Sequence, residues 1–149
     1  MNLVDAIRRV REHDDHASLL EAIPYMRTMG IAVVEVERVG ERRTLVLEMA
    51  SGNDHIGNPW LPALHGGVIG AFLENAAIVQ LLLDQEDSGT LPKPINVTVD
   101  YQRSGRVVAT RAAARVTKLG RRVATVHASC WQDDRERPIA TLAGHFLMK

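Results

Sequence analysis

Four residues between positions 62 and 83 carry groups that can act together on an acyl carbonyl. His65 precedes Gly66 and Gly67 at the start of an apolar run that is typical of a buried helix, and Glu74 lies inside that run. The first amides of a helix have no intrahelical acceptor, so the glycine N–H groups can donate to a substrate oxygen. This arrangement predicts an oxyanion site at the start of the helix.

Glu74 has no electrostatic partner at helical spacing. No Lys or Arg lies three, four or seven residues away from it, so its own helix offers no ion pair. Apolar neighbours raise the pKa of such a carboxyl, and a carboxylate near a carbonyl carbon can act as general base or nucleophile. Together with the amide donors, Glu74 is suited to acyl transfer or ester hydrolysis. The alternative is that the glycines only allow close packing and that Glu74 faces water in a groove.

Composition and charge exclude several other classes of protein. A chain of 149 residues fits one domain, 1–149, which is long enough to bury a core. Its 18 basic and 18 acidic residues give no net charge, so we expect neither nucleic acid nor a membrane as a partner. Cys130 is the single cysteine, which excludes cysteine zinc sites and intrachain disulfides and suits core packing. The sequence begins without a signal-peptide pattern, and no uninterrupted apolar run approaches the ~18 residues of a membrane span. We therefore expect a soluble, cytoplasmic protein without a metal site.

The first half of the sequence predicts short helices followed by a hairpin. Residues 2–13 form one amphipathic helix, and a second short helix completes an N-terminal helical extension, 1–23, before Pro24 breaks it. Residues 31–39 and 43–49 are rich in β-branched side chains and are typical of two strands joined by a turn. The polar segment that follows, 50–64, predicts a loop.

The second half predicts a long helix and four strands. The helix extends from about residue 67 to 84 and is apolar almost all round, so most of its surface must be covered. Four strands that alternate in polarity should follow as a meander, with Gly120 supplying a positive φ in one turn; they span 96–102, 107–117, 123–131 and 139–148. The sum is an α+β fold in which about six antiparallel strands wrap one side of a central helix and a second subunit covers the other.

Residues from about 24 to 149 resemble the acyl-CoA thioesterases of the hotdog fold, in particular the phenylacetic-acid-pathway and 4-hydroxybenzoyl-CoA thioesterase group. The resemblance rests on His-Gly-Gly with an acidic residue nine positions after the histidine, here His65 and Glu74, and on the order of elements. The segment "PYMRTMGIAVVEVE" is similar to the start of the family's first strand and "INVTVDYQRSG" to its first strand after the helix. The segment "VTKLGRRVATVHASCWQDDRERPIATLAGHFLM" is similar to its last hairpin and strand.

This resemblance implies hydrolysis of an acyl-CoA thioester to a free acid and coenzyme A. The Gly66 amide would polarise the carbonyl, and Glu74 would activate water or attack directly. The family also implies homodimers, often paired into homotetramers as dimers of dimers, with sites at the dimer interface and no cofactor apart from the coenzyme A of the substrate. His65 would either exchange protons or, as we favour, position the loop, and Gly67 would join Gly66 in contacting the substrate.

Two positions depart from the family pattern. Many relatives carry Asn or Gln six residues before the histidine, where this chain has Pro59; the neighbouring Asn58 is our candidate for substrate binding. Some relatives position water with a Ser or Thr on the strand after the helix. Pro94 stands near that place, so no hydroxyl partner is assigned.

Other readings stay open at this stage. The chain could be an acyl-CoA binding or sensing protein that keeps the fold without catalysis, or a hotdog acyl-thioester hydratase or dehydratase, a class in which a histidine such as His55 is catalytic. The spacing from His55 to Glu74 is longer than in that class, which favours a surface role for His55. Five basic residues near strand ends are candidates for the phosphates of coenzyme A, namely Arg103, Arg106, Lys118, Arg121 and Arg122.

Overall fold

The fold is organised around one long helix lying against one curved sheet. A computed structural model describes residues 1–86 and 90–148. The helices are α1 (Leu3–His13), α2 (Ala17–Glu21), α3 (Pro24–Thr28) and α4 (Gly66–Asp84), and the strands are β1 (Ile31–Val39), β2 (Arg42–Met49), β3 (Ile56–Asn58), β4 (Ala63–Leu64), β5 (Lys93–Tyr101), β6 (Thr110–Leu119), β7 (Val123–Trp131) and β8 (Ala140–Leu147).

Six antiparallel strands form the main sheet in the order β1-β2-β6-β7-β8-β5, and α4 packs against β2 and β5 to β8. The predicted α+β architecture, a central helix with about six antiparallel strands, is confirmed. The predicted four-strand meander is wrong, because β5 pairs with β8 and not with β6. A tight turn joins β6 to β7, whereas the longer segment 102–109 lies between β5 and β6 and lets β6 pair with β2 instead.

Alternation along the strands separates the core from the outer face of the sheet. On β7, Ala124, Val126 and Cys130 are buried against α4 while His127 is exposed. Strand β8 behaves in the same way, with His145 on the outer face. Both histidines therefore lie on the faces opposite their apolar neighbours, and Cys130 packs in the core.

The N-terminal helices cover part of α4 that the sheet leaves open. Ile7 and Val10 of α1 are fully buried in the same apolar cluster as α4. Arg11 of α1 donates to the carbonyl oxygens of Gln85 and Glu86 just beyond the end of α4, where helix carbonyls need partners. We expected a second subunit to supply this cover. Instead α1 supplies part of it from the same chain, so the apolar character of α4 alone no longer requires a dimer.

Three local features differ from the prediction. Pro24 does not end helical structure but begins α3, where its fixed φ suits a first helical position. The expected loop 50–64 contains the short hairpin β3–β4, whose strands are too brief to show a period. Gly120 has no positive φ. Its small size matters instead, since a Cβ there would lie 2.6 Å from the Val123 carbonyl oxygen.

The composition of α4 reflects its buried position. Within the described residues it is the one helix long and apolar enough to span a membrane, with a mean hydropathy of 1.6. Two thirds of that window, 67%, is buried inside the protein. A helix that is apolar all round is expected at the core of a folded domain, and α4 is that core helix.

Candidate active site

The start of α4 presents one backbone donor that the protein leaves free. His65 caps the helix, and its Nδ1 accepts a hydrogen bond of 2.8 Å from the Gly67 N–H. The His65 carbonyl accepts from the N–H groups of Val68 at 3.0 Å and Ile69 at 3.1 Å. The Gly66 N–H meets no acceptor in the parts of the chain that the structure describes. Among these first amides, Gly66 is the one available to a substrate oxygen.

This geometry separates the roles predicted for His65 and Gly67. The Nδ1 of His65 is an acceptor for a backbone amide, so the ring acts on the helix start and carries no proton at that nitrogen. The arrangement favours a positioning role for His65, which stays a prediction. The Gly67 N–H is occupied by the same bond, so a contact between Gly67 and substrate would have to use its Cα or displace His65.

The segment before α4 is fixed by backbone bonds. The His65 N–H donates to the His55 carbonyl at 2.8 Å, and the Leu64 N–H donates to the Gly105 carbonyl at 3.0 Å. His55 was expected at the surface, but it is half-buried, and its Nδ1 lies out of contact with solvent and without a partner among the described residues. Its carbonyl therefore helps to hold His65, while no geometry favours the catalytic role that a dehydratase histidine would need.

Tyr101 at the end of β5 is a site residue that sequence analysis missed. Its hydroxyl donates to the Gly66 carbonyl at 2.7 Å, and its ring lies 3.4 Å from where a Cβ on Gly66 would stand. The hydroxyl is also 3.5 Å from the equivalent point on Gly70. Two glycines four residues apart expose a flat strip of helix backbone, and this spacing was the signal that a bulky side chain packs there.

Glu74 lies one turn beyond Gly70 on the same ridge of α4. Its side chain is half-buried, and burial raises the pKa of its carboxyl above the ordinary value. No charged or hydrogen-bonding group among the described residues offsets that cost. An uncompensated, partly buried acid is more frequent at functional sites than elsewhere.

Gly66 and Glu74 of one chain are well separated along α4. They are eight positions apart on α4, which at a rise of ~1.5 Å per residue separates them by about 12 Å along the axis. A carbonyl oxygen bound to the Gly66 N–H keeps its carbon within about 4 Å of that nitrogen, since the hydrogen bond itself is about 3 Å long. A carbonyl carbon held at the Gly66 N–H therefore lies about 8 Å or more along the axis from the Glu74 backbone.

The ridge from Gly66 to Glu74 opens toward the free edge of the sheet. Strand β5 is the last strand on that side, and its apolar side chains Ile95 and Val97 are 54% and 36% exposed. A recess of about 360 Å³ beside Gly66 is lined by Leu64, Ile69, Tyr101, Arg103 and Ser104. Two larger grooves, of about 610 and 550 Å³, lie against β1 and on the outer face of the sheet. Neither contains a predicted site residue.

The remaining candidates are placed apart from one another. Asn58 is exposed, and its Oδ1 accepts from the Trp60 N–H at 3.0 Å within the β3–β4 turn; its role toward substrate stays a prediction. Arg103 lies near Gly66 and donates from Nε to the Pro138 carbonyl at 3.1 Å.

The five basic candidates do not form one cluster. Arg106 pairs with Asp133 at 2.5 Å near the start of α4. Arg121 lies at the other end of the helix, beside Asp84. It belongs to the β6–β7 turn, which also contains Arg122, and Lys118 lies near the end of β6 just before this turn.

Cys130 is not suited to act as a nucleophile. It is buried in the core, and burial raises the pKa of its thiol to about 12. The thiolate, which is the reactive form, is therefore scarce at neutral pH.

Comparison with known proteins decides the family. A family described as the acyl-CoA thioesterase N-terminal domain matches residues 57–147, a range that contains His65, Gly66 and Glu74. The chain belongs to this acyl-CoA thioesterase family. A comparison with curated protein sequences gave no match.

Solved structures show the fold of this thioesterase-family chain. A Chromobacterium violaceum protein is 36% identical with a TM-score of 0.72, and the match covers 97% of each chain. A phenylacetic acid degradation-related protein of Ralstonia eutropha is 20% identical with a TM-score of 0.77, covering 96% of this chain and 99% of that one. A mutant of the phenylacetic acid degradation protein PaaI of Thermus thermophilus is 20% identical with a TM-score of 0.67, covering 83% of this chain and 97% of that one. The fold is thus the hotdog fold of the thioesterase superfamily.

Burial of Glu74 makes the effect of neutralising it on stability depend on pH. Because its folded-state pKa is raised, the folded chain holds the proton more tightly, and this stabilisation is lost as pH rises above the unfolded value of 4.5. We therefore expect Glu74→Gln to raise the melting temperature at about pH 7.5, with a gain that shrinks toward zero near about pH 4. Thermal unfolding followed by circular dichroism measures both.

The exposed Glu41 in the β1–β2 turn provides the control. Glu41→Gln should change the melting temperature little at either pH, because an exposed carboxylate loses no hydration on folding. A Glu74→Gln protein that is less stable than the parent at about pH 7.5 would show that Glu74 has a stabilising partner in solution.

Proposed function

We propose that the chain hydrolyses an acyl-CoA thioester to a free acid and coenzyme A. The observation that supports this most directly is the pairing, on one ridge of α4, of a free Gly66 N–H with a Glu74 carboxyl that nothing in the described chain neutralises. In a thioesterase-family fold, these are the two groups that acyl transfer to water requires. We also propose a cytoplasmic location, where acyl-CoA substrates and a reduced Cys130 are compatible.

The chemistry follows from what each group offers. The Gly66 N–H donates to the thioester carbonyl oxygen and stabilises the negative charge that develops there. Glu74 either removes a proton from water as it attacks the carbonyl carbon or attacks that carbon itself, giving an anhydride that water then cleaves. Both routes expel the thiolate of coenzyme A, which takes up a proton. No cofactor takes part in this scheme apart from the coenzyme A of the substrate.

We propose that each site takes Gly66 from one chain and Glu74 from another. The separation of about 12 Å along one helix supports this arrangement. Strand β5, which borders the ridge, leaves a sheet edge unpaired with its apolar side chains exposed, and such an edge favours pairing with a further strand. A homodimer formed through this edge brings two copies of α4 together, and two such dimers could associate further.

Removing the charge of Glu74 tests the reaction. Glu74→Gln keeps the size of the side chain, so kcat for the best thioester in a panel of acyl-CoAs should fall about 10²-fold or more, as expected for loss of a general base. Glu74→Asp keeps a carboxylate one methylene further back and should retain part of the activity. Release of free coenzyme A, detected with a thiol reagent, is the measurement.

The same assay distinguishes the other two functions. A parent protein that binds acyl-CoAs without releasing thiol would be an acyl-CoA binding or sensing protein. A reversible change in enoyl absorbance with the thioester intact would indicate a hydratase or dehydratase. Folded Glu74 variants that turn over acyl-CoA at the parent rate would remove Glu74 from the mechanism.

Removing the Gly66 N–H tests the donor. The substitution Gly66→Pro deletes this N–H at the first position of the helix, where proline is well tolerated. The preceding His65 has φ −61° and ψ 133°, which is the conformation that a residue before proline prefers. We expect kcat to fall by about 10² to 10³.

Gly66→Ala is the matched control. It keeps the N–H and places a Cβ at 3.4 Å from the Tyr101 ring, a tight but tolerable contact, so its loss of activity should be much smaller. Equal losses in the two folded variants would show that the space at Gly66 matters and that its N–H does not.

Mixing the two inactive variants tests the two-chain site. In a mixed dimer of Gly66→Pro and Glu74→Gln chains, one site is intact and the other lacks both groups. After coexpression in equal amounts, half of the dimers are mixed and each mixed dimer has one intact site of two. About one quarter of all sites are then intact, so the preparation should show about one quarter of the parent activity. Light scattering should give at least a dimer. Absence of any rescue, with mixed dimers present, would place both groups of a site on one chain.

A further inference from the structure

We propose that Tyr101 is a positioning residue that holds the Gly66 N–H in its donating orientation. This inference rests on the proposed thioester hydrolysis and names a residue that acts through the backbone and not on the substrate. Tyr101 belongs to β5, while the donor belongs to α4, so the contact links the sheet edge to the oxyanion site.

The two peptide groups on either side of the Gly66 Cα are both hydrogen-bonded. In the His65–Gly66 peptide, the carbonyl accepts two helix amides, at 3.0 and 3.1 Å. In the Gly66–Gly67 peptide, the carbonyl accepts the Tyr101 hydroxyl at 2.7 Å in addition to the i+4 amide of its own helix, and the N–H donates to the His65 Nδ1 at 2.8 Å. The helix amides hold the first peptide plane and Tyr101 adds a bond to the second, so the rotation about the Gly66 Cα that would turn its N–H away is restricted from both sides.

The two glycines explain why this place needs such restraint. Two successive glycines form the most freely rotating dipeptide available, yet an oxyanion donor is effective only if it is oriented before the charge develops. With no side chain on Gly66 to restrict rotation, the Tyr101 ring packs directly on this glycine, 3.4 Å from where a Cβ would stand. Tyr101 thus replaces, from another element, the restraint that a larger residue would have provided.

The exposure of Tyr101 distinguishes a positioning role from simple core packing. Tyr101 is 55% exposed, so it contributes far less to the core than a buried aromatic side chain does. Its hydroxyl is used on a backbone carbonyl. Tyr101→Phe removes that bond and the hydroxyl contact near Gly70 but leaves the ring on Gly66, so a change in the donor should appear without loss of the fold.

Kinetics of Tyr101→Phe give the first test. We expect kcat to fall about 5- to 20-fold with KM within about twofold of the parent, because the donor acts mainly in the transition state. Tyr25, the other tyrosine, is also 55% exposed and lies on α3, so Tyr25→Phe should leave both constants unchanged. In a Gly66→Pro background, Tyr101→Phe should cost no further activity, since residues that act through one group are not additive.

Amide exchange provides a readout that does not depend on activity. In protein labelled with ¹⁵N-glycine, Tyr101→Phe should speed hydrogen exchange at the Gly67 N–H, because the Gly66 carbonyl of the same peptide then keeps only its intrahelical bond. A fall in kcat without faster exchange at Gly67 would give the hydroxyl another role and overturn the proposal. A kcat and a Gly67 exchange rate both equal to those of the parent would overturn it as well. A parent protein that hydrolyses no acyl-CoA would overturn the proposed function, while the exchange rates would still decide whether Tyr101 holds the Gly66–Gly67 peptide.

Discussion

Burial of α4 against the sheet is the constraint on which the other features depend. The helix has no polar face of its own, and its central residues are almost all covered. One polar side chain of the core is fully used: Gln80 accepts from the Leu45 N–H at 3.0 Å and donates to the Arg43 carbonyl at 2.9 Å. These bonds fix the helix to β2 and so set its rotation about its own axis. That rotation decides which ridge faces β5, and it is the ridge of Gly66, Gly70 and Glu74.

The two ends of α4 differ in how their backbone groups are hydrogen-bonded. At its end, Arg11 donates to the carbonyl oxygens of Gln85 and Glu86, so the segment that follows this terminus is bound by α1 of the same chain. At its start, the His65 ring satisfies the Gly67 N–H but leaves Gly66 free. A helix start with one donor unused costs stability unless water or a ligand binds there. The asymmetry agrees with a structure in which one end of the core helix is for packing and the other for binding.

Sequence alone predicted the parts of this fold that depend on local pattern. Periodicity found α1, α4 and the six strands of the main sheet, and spacing singled out Glu74 and the His65 segment. It did not find that β5 pairs with β8, because alternation reports which face of a strand is buried and not which strand lies beside it. It could not distinguish the amides of Gly66 and Gly67 either, since that depends on the rotamer of His65. Tyr101 was missed because its hydrogen-bond partner is a backbone carbonyl 35 positions away in the sequence.

The pairing of β5 with β8 has a consequence for the order in which the molecule can form. Hairpin β1–β2 and the meander β6 to β8 join neighbours in sequence, so their loops close at small entropic cost. Strand β5 has a single partner, β8, which lies some forty residues later. Until residues 140–147 are in place, β5 has no ladder to join, and Tyr101 cannot reach Gly66. During synthesis the contact between Tyr101 and Gly66 is therefore among the last parts of the fold to form, because it depends on a strand at the far end of the sequence.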